Sequence, residues 1–145
     1  MPIKITKIKP EFVENRGFIA RIIDQEKLKI KAILYIESKA GSIRGNHYHK
    51  TEYHYVYCLS GKFKYSERNI QSHNSHIESR IIKPGNLVLT HPMVVHAMEF
   101  IEDSVFMAFT TKNREQIQYE KDTVRLKITK NDKESGEKNF MLSYL

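Results

Sequence analysis

The chain has 145 residues, 40% of them hydrophobic and 28% charged, with a formal net charge of +7. That length holds one domain with a core of its own, and the apolar content excludes a disordered chain. A single cysteine, Cys58, excludes an internal disulfide and a cysteine-built zinc cage.

The lysines are scattered singly, as at Lys27, Lys29 and Lys31, and no basic arm or helix gathers them. This distribution speaks against nucleic acid and suits an anionic small molecule, whose local concentration a positive protein raises. No apolar run approaches the length of a membrane span. The first seven residues alternate charge with apolar side chains and lack the apolar stretch of a secretory signal, so the expected compartment is the cytoplasm.

Along the chain, the first turn signal is Glu14-Asn-Arg16-Gly17-Phe18. Segments 29–37, 53–59, 76–82, 86–90, 94–100 and 104–111 are short and rich in β-branched and aromatic residues, which predicts strands. Turn residues separate them at Ala40-Gly41, Ser60-Gly61, Lys83-Pro84-Gly85-Asn86, His91-Pro92 and Glu102-Asp103. Residues 67–75 read as a polar loop, and Asn113 to Tyr119 as one helical turn capped by Asn113. Strands this short and this regularly punctuated predict an all-β sandwich or barrel. The domain is expected over 1–128 and a tail over 129–145, because 129–139 are charged and poor in apolar groups. The tail ends in apolar Phe140–Leu145, which would dock on this subunit or on a neighbour.

Three of the seven histidines, His47, His49 and His54, fall within eight residues. In a strand His47 and His49 share a face, since side chains alternate with a period of two. His96 lies on a second strand-like run, on one face with Met98 and Phe100. Four imidazoles converging make a plausible divalent-metal site, and neutral imidazole accepts zinc, iron, manganese, nickel or copper without choosing among them. The plainer reading is a polar pocket. His73, His76 and His91 sit in or beside turns and are expected to be solvated.

The stretch from Gly41 through His47, His49 and His54 to Gly61 resembles the first cupin motif, G-x5-H-x-H-x4-E-x6-G. Every spacing agrees, but His54 stands in the glutamate position. The second motif, G-x5-P-x-G-x2-H-x3-N, falls on Gly85, His91, Met93, His96 and Phe100, where Gly85 and His96 alone match. The resemblance implies a double-stranded β-helix, or jelly-roll barrel. In metal-binding cupins these positions hold the ion, which here would make His47, His49, His54 and His96 the ligands.

Arg44-Gly-Asn-His47 resembles the R-G-x-H segment of the sugar-nucleotide cupins, the dTDP-4-dehydrorhamnose 3,5-epimerases and the dTDP-4-keto-6-deoxyhexose 3,4-ketoisomerases. The Glu14–Phe18 turn resembles the D-x-R-G turn of the same families. The resemblance implies that Arg16 and Arg44 grip phosphate oxygens, as the planar guanidinium fork does well. It also makes His47 a general base beside a keto sugar. Such chemistry needs a base of near-neutral pKa and a donor for the enolate oxygen; Tyr35 is the candidate acid, with Tyr53, Tyr55 and Tyr57 as others. A metal-bound His47 has its lone pair engaged and cannot be that base. The expected function is isomerisation or epimerisation of a nucleotide-linked keto sugar by a homodimer. The alternatives are a metal-dependent, dioxygenase-like cupin with four histidine ligands, and a non-catalytic cupin that binds a small ligand.

Overall fold

A computed structural model describes residues 3–73 and 75–130. Strands β1 (Lys4–Lys7), β7 (Asn86–Thr90), β4 (His54–Ser60), β9 (Ser104–Thr110) and β2 (Ala32–Ser38) form one sheet, in that spatial order. The second sheet runs β10 (Thr123–Arg125), β3 (Ile43–His49), β8 (Val94–Phe100), β5 (Phe63–Asn69), β6 (Glu78–Ile82). Every pairing is antiparallel, and the two inner faces close on one core, as the jelly roll requires.

That core comes from alternate residues of facing strands: Val56, Phe63, Tyr65, Val88, Met98, Phe106 and Ala108 are fully buried. Phe63, Phe100 and Phe106 pack with ring centroids 5.1 to 5.7 Å apart. Cys58 is buried among them with a free thiol. Gly61 ends the first motif because its turn needs φ +86°, and because Ser104 and the Asp103 carbonyl occupy the space of a side chain.

The expected strands are present, those at 86–90 and 94–100 with the same ends and the others shifted by up to three residues. The loop predicted over 67–75 starts later, since β5 continues to Asn69 against β8. The helix is displaced as well: α1 spans Gln116–Asp122, and its cap is Glu115, whose carboxylate accepts from the Ile117 and Gln118 amides. Asn113 instead caps the turn before it, accepting from the Glu115 amide. The segment Phe140–Leu145, and all of the predicted tail beyond residue 130, lie outside the described residues.

Candidate functional site

The site begins with an irregularity in β3. Gly45 and Asn46 both take positive φ, 92° and 56°, and the register against β8 shifts between Gly45 and His47. This bulge has a local fastening, because Asn46 accepts from the Leu126 and Ile128 amides through its carbonyl and side-chain oxygens. Beyond it, His47 and His49 both turn inward and are 0% and 2% exposed. His96 lies directly opposite His47, and His54 opens β4 between Thr90 and Thr110.

The structure brings the four predicted histidines together. Ring centroids are 4.8 Å apart for His47–His96 and His54–His96, 4.9 Å for His47–His49 and 5.7 Å for His49–His54. Their nitrogens split into two overlapping groups. His47, His49 and His96 offer ligand atoms within 4.8 Å of one another, and so do His49, Glu52 and His54. Both ring nitrogens of His47, and the Nε2 atoms of His49 and His54, are buried with no hydrogen-bond partner. Native proteins rarely leave such atoms unpaired, so this cluster is built to receive something.

Electrostatics keep three of these rings, those of His47, His49 and His54, neutral. Burial holds His47 well below the ordinary imidazole value, and the neighbouring His96, His49 and His54 deepen the effect. Burial pushes His49 down to about 3 despite the opposing pull of Glu52. Burial, and then the Arg114 charge, push His54 down to about 3. Neutral imidazole is the form that accepts a proton or a metal.

Several residues beside the cluster carried no signal in the reading of the sequence. Glu52, 1% exposed, lies in the turn between His49 and His54. Its Oε2 is 3.2 Å from His54 Nδ1 and 3.4 Å from His49 Nε2. The carboxylate that the first motif lacks at position 54 is thus supplied two residues earlier. A glutamate flanked by two motif histidines was the available clue. Arg114 holds Glu52 with both guanidinium branches, at 2.7 and 3.3 Å. Tyr119, on α1, packs its ring 5.5 Å from His49 and lies under Arg114. Asp122, at the end of α1, accepts from the Thr51 and Glu52 amides and the Thr51 hydroxyl. Helix α1 is therefore pinned over the mouth of the barrel. Outside this cover a cleft of about 410 Å³ is lined by Lys31, Lys112 and Lys121 together with Tyr119 and Asp122. Deeper on the inner face, Tyr65 donates to Glu67 and shares a hydrogen bond with Thr90, next to His54 in register.

The other predicted residues divide. Arg44 lies opposite Met98 on the inward face of β3, and burial lowers its pKa. Its guanidinium donates to the Ser38 hydroxyl at 2.7 Å and to the Glu37 carbonyl at 3.1 Å. Arg16 is not brought to the histidines. It stands at the tip of a small hairpin closed by Glu14 and Gly17, its side chain 88% exposed and ion-paired to Glu14. Tyr35 does not face the cluster either. Leu34 and Ile36 take the inward positions of β2, so the period of two turns Tyr35 outward, where it is 63% exposed and donates to Glu37. Tyr53, Tyr55 and Tyr57 are half-buried, and none of their rings packs on the four histidines among the described residues. His73 and His76 are exposed as expected, whereas His91 is half-buried against Tyr53.

With this geometry in hand, comparison with known proteins is informative. No functionally curated protein matches the chain in sequence. Similar solved structures include the 3,4-ketoisomerase QdtA from Thermoanaerobacterium thermosaccharolyticum in complex with TDP, at 20% identity and TM-score 0.67, over 85% of this chain and 87% of that one. A 3,4-ketoisomerase from Helicobacter canadensis superposes at 19% identity and TM-score 0.69, over 86% and 91% of the two chains. The rmlC epimerase of Mycobacterium tuberculosis does so at 15% identity and TM-score 0.71, over 86% and 72%. At these identities the likeness establishes the fold, an RmlC-like cupin jelly roll. A family profile described as FdtA: WxcM-like, C-terminal, matches residues 1–131, and the chain belongs to that family.

Proposed function

We propose that this protein binds a nucleotide-linked keto sugar and isomerises or epimerises it by moving a proton at the carbon beside the ketone. The observation that carries the reading is His47, a fully buried neutral imidazole with both nitrogens unpartnered. It sits on the family's fold, and QdtA has been crystallised with TDP and with TDP-4-keto-6-deoxyglucose.

In this mechanism His47 is the base that takes the proton made acidic by the adjacent carbonyl; burial holds its pKa low in the free protein, and the enolate charge formed beside it stabilises the imidazolium. Within the cluster itself, Tyr119 is the residue suited to the acid role. Its ring packs on the cluster, and burial raises its pKa, so the hydroxyl stays protonated and can donate to the developing enolate oxygen. The three lysines around the outer cleft attract the diphosphate, and Arg44, on β3, is the guanidinium expected to hold its oxygens. Because the four histidines are at most 2% exposed, the Tyr119 cover must move for a sugar to enter.

Homodimerisation belongs to the same reading. Ile33, Tyr35, Tyr55, Tyr57, Met107 and Phe109 form two cross-strand rows on the outward face of the first sheet, with Ile33 and Tyr35 more than 60% exposed. Such a patch suits burial against a second copy. The hairpin that carries Arg16 is also apolar and exposed at Phe12, Val13, Phe18 and Ile19. In a dimer it can bring Arg16 to a phosphate.

The unpaired nitrogens favour a second reading as well. His47, His49 and His96, with His54 beside them, fit a divalent transition metal such as zinc, iron, manganese, nickel or copper. Such an ion would polarise a substrate oxygen as a Lewis acid. Titration calorimetry with TDP, alongside metal analysis of the purified protein, separates the two. The keto-sugar reading expects TDP binding that weakens in Arg44→Ala with metal at background. Absence of TDP binding, with stoichiometric metal that His96→Ala abolishes, would transfer the site to the metal reading.

A further inference from the structure

The mechanism above leaves unused the most deeply buried ion pair among the described residues. Glu52 is 1% exposed and Arg114, at 12% side-chain exposure, grips it from the α1 side. Burying two charges costs several kcal/mol per ion before their attraction repays it, and an apolar pair would fill the same space more cheaply. The pair therefore invites a role beyond stability.

Its geometry supplies one. A carboxylate can only accept. Glu52 Oε2 lies in hydrogen-bond contact with His54 Nδ1, at 3.2 Å, so the shared proton sits on Nδ1. A neutral imidazole carries a single N–H, which leaves Nε2 with a bare lone pair. That Nε2 is buried, has no hydrogen-bond partner, and belongs to a ring whose centroid is 4.8 Å from that of His96. We propose that the Arg114–Glu52 pair is a positioning device that fixes His54 as the Nδ1–H tautomer, so that Nε2 presents its lone pair to the histidine cluster. Arg114 keeps the carboxylate from rotating away, because it spans both oxygens. An outer residue that orients a site histidine through its second nitrogen is a recurring physical solution. Here the turn at 50–52 delivers it, held in place by Asp122.

The tautomer does not depend on what the protein acts upon; its effect on turnover rests on the keto-sugar reading. The test is long-range 1H–15N correlation of protein labelled with 15N-histidine, with His54 assigned through His54→Gln. The wild type is expected to show His54 protonated at Nδ1 and bare at Nε2. The double variant Glu52→Ala with Arg114→Ala leaves no lone buried charge, and should release His54 into a mixture of tautomers while the His47 signals stay put. Glu52→Gln with Arg114→Gln restores an acceptor of similar shape and should recover the Nδ1–H form. If keto-sugar turnover is present, the alanine pair should lower kcat by at least about tenfold with KM little changed, as expected for loss of an orienting partner. A wild-type His54 protonated at Nε2, or a tautomer that the alanine pair leaves unchanged, overturns the proposal. The wild-type spectrum alone decides should the alanine pair fail to fold. Absence of turnover with the expected tautomer would contradict only the keto-sugar reading.

Discussion

The two ends of the barrel interior are built by the same strands and behave as opposites. On β8, His96 faces the polar end, and Met98 and Phe100, two and four residues on, face the apolar core. On β4 the inward series runs His54, Val56, Cys58; on β9 it runs Thr110, Ala108, Phe106. Each two-residue step along a strand thus moves from a chamber of imidazoles to one of close-packed apolar side chains. The apolar end supplies the burial that holds the sheets together, and it leaves the polar end free to hold groups that cost stability.

The comparison breaks most readily with a pair of truncations. Phe106→Ala removes a fully buried ring and should destabilise the fold by about 3–5 kcal/mol. His47→Ala also loses packing, but it removes two nitrogens without partners, whose burial costs on the order of 1–3 kcal/mol each. Its loss should come to less than half that of Phe106→Ala in denaturant midpoints. Equal losses would mean that the polar end carries the fold as much as the core does.

Acid should weaken the polar end next. His49 and His54 have folded pKa values near 3, below the ordinary 6.5 of the unfolded chain. Between these values the unfolded state binds more protons, so stability falls as pH drops from about 6.5 towards 3. Each imidazole contributes up to ~1.4 kcal/mol per pH unit. Urea unfolding at pH 7.5 and pH 5 should show that loss, and replacing His49 and His54 by glutamine should lessen it, with His47 supplying the remainder. A wild-type stability that is level over this range would contradict the burial of neutral rings.

The smallest effect concerns the turn between β7 and β8, beside the polar end. Met93 occupies the position where the second motif has glycine, and it adopts φ 65° while its amide donates to the His49 carbonyl. A left-handed side-chain residue costs roughly 1–2 kcal/mol, against roughly 0.5–1 for the extra freedom of glycine. Met93→Gly should therefore be neutral or stabilising by up to about 1 kcal/mol in thermal unfolding. A loss above about 2 kcal/mol would show that the methionine side chain supports the site by packing.

Much of this was legible in the chain. Strands at 86–90 and 94–100 follow from apolar content and flanking turns, and the four histidines follow from motif spacing. The outward face of Tyr35 was not legible, because Ile33-Leu34-Tyr35-Ile36 is apolar throughout and composition does not say which alternate set faces inward. The Gly45-Asn46 bulge left no periodic trace, although it aims His47. Glu52 and Arg114 are 62 residues apart in sequence, and a contact of that range is invisible to spacing within one strand. Helix α1 slid by three residues because Glu115 and Asn113 are both competent caps, and tertiary contacts through Tyr119 and Asp122 favoured the later one.

In the proposed reaction a buried, neutral His47 moves a proton on a keto sugar. NMR in D2O of TDP-4-keto-6-deoxyglucose incubated with the protein tests it most directly. The account predicts that the wild type incorporates deuterium at the carbon beside the ketone, and that His47→Gln, still folded and still binding TDP, reduces the exchange to the rate of buffer alone. Wild-type rates of exchange in His47→Gln would contradict it, and so would a wild-type protein that binds the sugar nucleotide without exchanging that proton.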